Sequence, residues 1–141
     1  MKNSKSDSFP FRVGIVGCGA ISNAYFKWLA PYSKYASITA CADIDLDRAR
    51  SKAKEHGVAK ACSVDELMAD PDVDAVLNLT IPAAHVPVNL QAIKAGKHAY
   101  CEKPFSLTYK EGLKVLQEAE SRKLRVGCAP DTVLGGGRTE D

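Results

Sequence analysis

The chain has 141 residues and is 45% hydrophobic, enough for one domain with a real core and for little more. Its 19 basic and 17 acidic residues are interspersed and leave a net charge of +2, which argues against both the basic stripe of a nucleic-acid binder and the acidic block of a solvating tail. No run approaches the roughly 18 apolar residues of a membrane span. The polar start MKNSKSDSFP also lacks the apolar core of a secretion signal, so a soluble cytoplasmic protein is expected, with no membrane or nucleic-acid partner.

In chain order, residues 1–10 read as a polar tail. FRVGIVG, at 11–17, is a short apolar run that stops at glycine, as a buried strand does. Ile21, Tyr25, Trp28 and Leu29 then recur at helical spacing and predict one buried helix face. ASITACAD, at 36–43, reads as a second strand, followed by the charged helix LDRARSKAKEH with Gly57 placed to end it. KACS, at 60–63, suggests a third short strand, and Ser63 with Glu66 fits a capping box opening a short helix. DAVLNLT, at 74–80, is a fourth strand, and Val86, Leu90 and Ile93 mark a helix that closes at Gly96. KHAYC, at 97–101, is a fifth. Thr108 and Glu111 cap a last helix whose inward face is Gly112, Val115, Leu116 and Ala119, and LRVGCA, at 124–129, is a sixth strand. Strands alternating with helices predict a Rossmann-type doubly wound parallel sheet with helices on both faces.

Five cysteines, at 18, 41, 62, 101 and 128, form no CxxC pair. They are expected to be reduced, mostly small buried hydrophobes, with neither a disulfide nor a metal role. Cys18, on a glycine turn, is expected to be the exposed one.

Ligands of such a sheet sit beyond the carboxyl ends of its strands. The first strand ends in GCGAIS, Gly17 to Ser22, a G-x-G-x-x-S turn. Gly17 permits the tight turn and Gly19 the close approach of a pyrophosphate. The backbone through Cys18, Ala20 and Ile21 then presents N–H groups at the helix start. Asp43 ends the second strand 24 positions after Gly19, close to the spacing of about 20 expected for the acid that bonds a ribose hydroxyl. Ile44 stands where an arginine would meet a 2′-phosphate. NAD is therefore expected in preference to NADP, although Arg48 and Arg50 pull the other way. Thr80, Ile81 and Pro82 form a wall at the end of the fourth strand. His85 is either a ligand contact or an ordinary helix-start residue. The fifth strand ends in Glu102-Lys103-Pro104. These two charges are either a solvated pair at a loop entrance or a site group, since a lysine there can donate a hydrogen bond to a substrate oxygen.

The segments VGIVGCGAIS, ACADID, TIPAAH, AGKHAYCEKP and VGCAPDTVLGGG together resemble the glucose–fructose oxidoreductase/inositol dehydrogenase (Gfo/Idh/MocA) family, with AGKHAYCEKP the most specific. The resemblance runs from Phe11 to about Gly137. It implies a nicotinamide-dependent oxidoreductase acting on sugars, cyclitols and related diols or ketones. Lys103 would lie beside the nicotinamide and the reacting oxygen, with Glu102 contacting the ribose or orienting the lysine. Thr80-Ile81-Pro82 departs from the Thr-Pro-Asn of many members. The family continues into a substrate domain, so residues 11–130 are expected to be the dinucleotide-binding domain, and 131–141 the truncated start of the crossover to a missing second domain. On that reading the chain binds cofactor without turnover, and its full-length parent is a homo-oligomer. The alternatives are a stand-alone NAD-sensing or interaction module and, far behind, a methyltransferase.

Overall fold

The computed structural model describes residues 9–130. Its strands are β1 (Phe11–Val16), β2 (Ala36–Ala42), β3 (Lys60–Cys62), β4 (Ala75–Asn78), β5 (His98–Cys101) and β6 (Val126–Cys128). They form one sheet in the order β3-β2-β1-β4-β5-β6, every neighbouring pair parallel. The helices are α1 (Ala20–Leu29), α2 (Leu46–His56), α3 (Val64–Ala69), α4 (Pro82–Lys94) and α5 (Tyr109–Ser121). The expected doubly wound sheet is present. Its strand order reverses between β1 and β4, and a crevice opens there at the carboxyl edge. Residues 1–8 of the expected tail at 1–10 and the expected crossover segment 131–141 lie outside the described residues.

Period-two alternation sends successive strand residues to opposite faces, and both faces are buried. Val13, Ile15, Cys41 and Leu77 pack with Tyr25 and Phe26 of α1 and Ala49 and Ala53 of α2. Val16, Ala40, Ala42, Val76 and Ala99 pack with Leu67 and Met68 of α3 and Ala92 of α4. Ile93 of α4 then meets Val115 and Ala119 of α5. The helix ends follow local chemistry. Asp45 accepts hydrogen bonds from Asp47 N and Arg48 N at the start of α2, and Gly57 closes that helix at φ 69°. Ser63 and Thr108 each accept from the backbone N–H three residues on, as a capping box requires.

Three sequence expectations are corrected. The buried face of α1 is Ser22, Tyr25 and Phe26, while Ile21 and Trp28 are 42% and 57% exposed. The small Ser22 sets the rotation, because the helix must approach the strand closely just after the glycine turn. Trp28 instead flanks a groove of about 350 Å³ lined by Tyr25, Leu29, Leu77 and Tyr100. On α5, Leu116 is exposed, so its inward face is Gly112, Val115 and Ala119 alone. Ser106 and Phe105 crowd Gly112 closely, which is why that face begins at a glycine. Cys18 is 1% exposed, because the turn tucks its side chain beneath the loop, with Sγ 3.5 Å from Ala42 O.

Candidate functional site

The turn after β1 is shaped by two glycines in different ways. Gly17 has φ 101°, a left-handed conformation, and a Cβ there would lie 2.6 Å from the backbone oxygen of Leu79. Gly17 therefore lets the turn lie directly on the end of β4. Gly19, the N-cap of α1, has an ordinary φ of −77°, and a Cβ there would meet nothing. The space above it is open to a ligand. α1 has no side-chain cap and no acidic residue in its first turn, so its leading N–H groups at Ala20 and Ile21 offer an anion site. Ser22 Oγ donates to Gly19 O at 2.6 Å and ties the helix start to the turn.

Asp43 is buried at the end of β2 and spans the turn. Its Oδ2 accepts from Cys18 N at 2.8 Å, and its Oδ1 accepts from Asp45 N at 2.8 Å. Arg48 Nη1, reaching back from α2, stands 3.7 Å from the same Oδ1. Ile44 points fully to solvent. Beneath the turn, Cys41 is pushed up well beyond an ordinary thiol, first by its hydrogen bond to Cys18 and then by burial.

The other half of the crevice is held by side chains. Asn78 ends β4 in complete burial. Its Nδ2 donates to His85 O at 3.0 Å and to Asn89 Oδ1 at 2.9 Å, and its Oδ1 accepts from Thr80 N at 3.2 Å and Thr80 Oγ1 at 2.6 Å. β4 ends at Asn78, two residues before the strand end expected from the sequence, although Leu79 N still donates to Val16 O at 2.8 Å. Thr80 is half-buried, and Ile81 and Pro82 are exposed at the start of α4. His85, five residues beyond Thr80 in the first turn of α4, is 1% exposed and bonded through both ring nitrogens. It is a buried structural link rather than a surface contact.

After β5, Glu102 N donates to Asn78 O at 3.2 Å, and the Glu102 carboxylate accepts from Tyr25 Oη of α1. Burial and that carboxylate both raise the Tyr25 phenol, so it stays protonated as the donor. Lys103 is exposed, and its side chain has no hydrogen bond or ion pair among the described residues. The peptide bond to Pro104 is cis. The structure thus brings Gly17–Ile21, Asp43, Thr80–Pro82 and Glu102–Lys103 to one edge, with Ile44 pointing away and His85 beneath. The sequence reading missed Asn78, Asn89 and the site role of Tyr25. A polar residue closing an apolar strand, as in AVLN, is the signal that marks Asn78.

Open space over Gly19, an uncapped helix start and a carboxylate beside them fit a dinucleotide. Among the described residues no cluster of His, Cys, Asp or Glu is placed to hold a metal ion, and no helix is long and apolar enough to cross a membrane.

Residues 11–129 match the oxidoreductase family with an NAD-binding Rossmann fold (Gfo/Idh/MocA), and the chain belongs to that family. It is 35% identical over 115 residues to inositol 2-dehydrogenase 3 of Saccharopolyspora erythraea, a match spanning 82% of this chain and 34% of that protein. Among solved structures it is similar to biliverdin reductase of Synechocystis sp. PCC 6803 in complex with biliverdin and NADP+, with TM-score 0.81, 30% identity, and 90% and 40% of the two chains covered. It is also similar to the WlbA dehydrogenase of Chromobacterium violaceum in complex with NADH and UDP-GlcNAcA, with TM-score 0.80, 25% identity, and 86% and 35% covered. The chain spans about a third of the length of the curated relatives it matches.

Proposed function

We propose that residues 11–130 are the cofactor-binding unit of an oxidoreductase that moves a hydride between NAD(H) and a sugar, cyclitol or related diol or ketone. When bound, the nicotinamide supplies the hydride acceptor or donor. The backbone of Gly17, Cys18, Gly19, Ala20 and Ile21 would hold the pyrophosphate, where the α1 dipole favours an anion. Asp43 would accept from the adenosine ribose on the lone pairs that Cys18 N and Asp45 N leave. Thr80, Ile81 and Pro82 would wall the nicotinamide half. His85 would support that wall from below, without touching the ligand. Glu102, tied to Tyr25, would fix the start of the Lys103 loop. As a C–H bond gives up its hydride and the neighbouring hydroxyl its proton, charge develops on oxygen. Lys103 would donate a hydrogen bond to that oxygen.

The observation that carries this reading is the placement of the glycine turn and the exposed Lys103 on one carboxyl edge, either side of the β1/β4 reversal. The substrate class is drawn from the inositol dehydrogenase and WlbA relatives. The remaining length of such relatives is proposed to supply the substrate pocket, the catalytic partners of Lys103 and the contacts of a cytoplasmic homo-oligomer. NAD is proposed over NADP because the Asp43 carboxylate repels a 2′-phosphate; Arg48, beside it, limits that preference. Calorimetric titration of both cofactors tests the proposal. NAD should bind at least several-fold more tightly, and an absence of binding by either would overturn it.

A further inference from the structure

His85 sits in the first turn of α4 with a ring almost wholly removed from solvent. Its Nε2 lies 2.8 Å from Thr80 O and its Nδ1 lies 2.7 Å from Pro104 O. Both partners are backbone carbonyls, which carry no proton, and that of Pro104 belongs to a residue with no N–H. Each short contact is therefore a hydrogen bond only if the ring nitrogen donates. A neutral imidazole has one N–H and one lone pair; only the imidazolium has two N–H groups. The backbone end of the residue is held as well, since His85 O accepts from Asn78 Nδ2.

The two carbonyls belong to the two segments that frame the nicotinamide half of the crevice. Thr80 is the wall after β4, and Pro104 follows Lys103 directly. Resting on the cofactor reading given above, we infer that His85 is a positioning residue: as an imidazolium it clasps the Thr80 wall to the Lys103 loop, and loss of one proton releases one of the two. Deprotonation would set a nitrogen lone pair against a carbonyl lone pair at under 3 Å, so one segment has to move.

The ionisable groups on the surrounding elements leave the ring to these carbonyls. Glu102, on the β5 loop, is engaged by Tyr25, and Lys103 beside it is exposed. On α4 the other ionisable side chain is Lys94, at the far end of the helix. On α5, Tyr109, Lys110, Glu111, Lys114 and Glu120 are exposed and Glu118 is half-buried, and on β5 His98 is half-buried, Tyr100 exposed and Cys101 buried. The wall itself, Asn78 to Ile81, carries no charge. Burial and the N-terminus of α4 oppose a cation there, whereas two charge-assisted hydrogen bonds favour it.

The test is ring ¹⁵N NMR of the 141-residue chain from about pH 5 to 8, the window in which histidines in general change charge, read together with the backbone amides of residues 80 and 102–106. At the acid end both His85 nitrogens should show N–H signatures, and the loop amides should shift with the same midpoint as the ring. A single neutral tautomer throughout, or loop amides that do not follow the ring, would overturn the inference. NAD(H) affinity should weaken by about fivefold as the ring deprotonates, the low end of ordinary two-site coupling. His85→Gln, which cannot donate from both positions, should abolish that pH dependence, and its persistence would also count against the clasp. Because the ring signature is read without cofactor, it decides the clasp even if the chain binds no NAD(H), an outcome that would sink the cofactor reading alone.

Discussion

Around β1 and β2 the carboxyl edge is made of backbone, whereas around β4 and β5 it is made of side chains. The first half depends on a left-handed Gly17, an open Gly19 and one carboxylate tied to a backbone N–H. The second depends on Asn78, Thr80, His85 and the Tyr25–Glu102 contact, which together lead to Lys103. On the proposed function, the difference follows from two tasks. A pyrophosphate is an anion met well by N–H groups at a helix start. A reacting oxygen needs one donor placed to within a fraction of an ångström, which takes interlocked side chains behind it.

The largest effect should appear at Lys103, where the two halves separate binding from chemistry. In a full-length protein carrying this domain, Lys103→Met should leave NAD affinity within a few-fold. Its kcat should fall by about 10²–10⁴, the usual contribution of a positioned proton-handling group. An unchanged kcat would make the lysine a bystander. The 141-residue chain alone should bind NAD without oxidising a panel of polyols, and substantial turnover would break the division of labour between this domain and the rest of its relatives' length.

The glycines come next, and they should respond differently. Gly17→Ala forces an L-residue to φ 101° and drives a Cβ into the Leu79 backbone. A loss of about 1–3 kcal/mol in stability is expected from the conformation alone, with the clash added. Gly19→Ala meets open space in the free protein. It should cost little in thermal stability yet weaken NAD by about tenfold, or about 1.4 kcal/mol. Equal behaviour of the two variants in melting and in calorimetry would erase the distinction between a turn glycine and a ligand glycine.

On the other half, Asn78→Leu leaves His85 O and Thr80 N without their partner. It should destabilise the fold by about 1–3 kcal/mol per orphaned group, read from urea unfolding. A smaller change is expected at Asp43. Asp43→Ala should shift the NAD-to-NADP affinity ratio toward NADP by several-fold, because a repelling charge is removed while Arg48 remains. A ratio that does not move would deny the carboxylate its selective role.

The smallest effect concerns the thiols. Cys128 is half-buried while the other four cysteines are buried. Burial and the neighbouring Cys101 push its thiol up to about 12. Alkylation should therefore be slow at neutral pH, label Cys128 first, and quicken as pH rises toward that value and the thiolate fraction grows. Rapid labelling of Cys18 at neutral pH would contradict its burial.

Legibility differed along the same line as the chemistry. The glycine turn, Asp43 and the Glu102-Lys103-Pro104 loop were all visible in the chain, because each sits at the end of an apolar run and each residue type has a geometric reason to be there. The α1 face was misread at Ile21 and Trp28. A helical stripe of large apolar residues looks like core, but close contact behind the glycine turn selects the small Ser22. Cys18 was misread for a related reason, since proximity to a turn in sequence says nothing of which way the side chain points.

By itself, then, the sequence determined the alternation of strands and helices, the parallel sheet it implies, and the strand ends at which ligand groups stand. These rest on periodicity, caps and glycine conformation, which act over a few residues. Only the tertiary structure decided that Tyr25 meets Glu102 across 77 positions, that Asn78 gathers Thr80, His85 and Asn89, and that one histidine ring touches the carbonyls of both Thr80 and Pro104. Those links join residues distant in the chain or on different elements. They exist because a twisted sheet packs α1 and α4 on its opposite faces and brings the ends of β4 and β5 together, a placement that local sequence pattern does not encode.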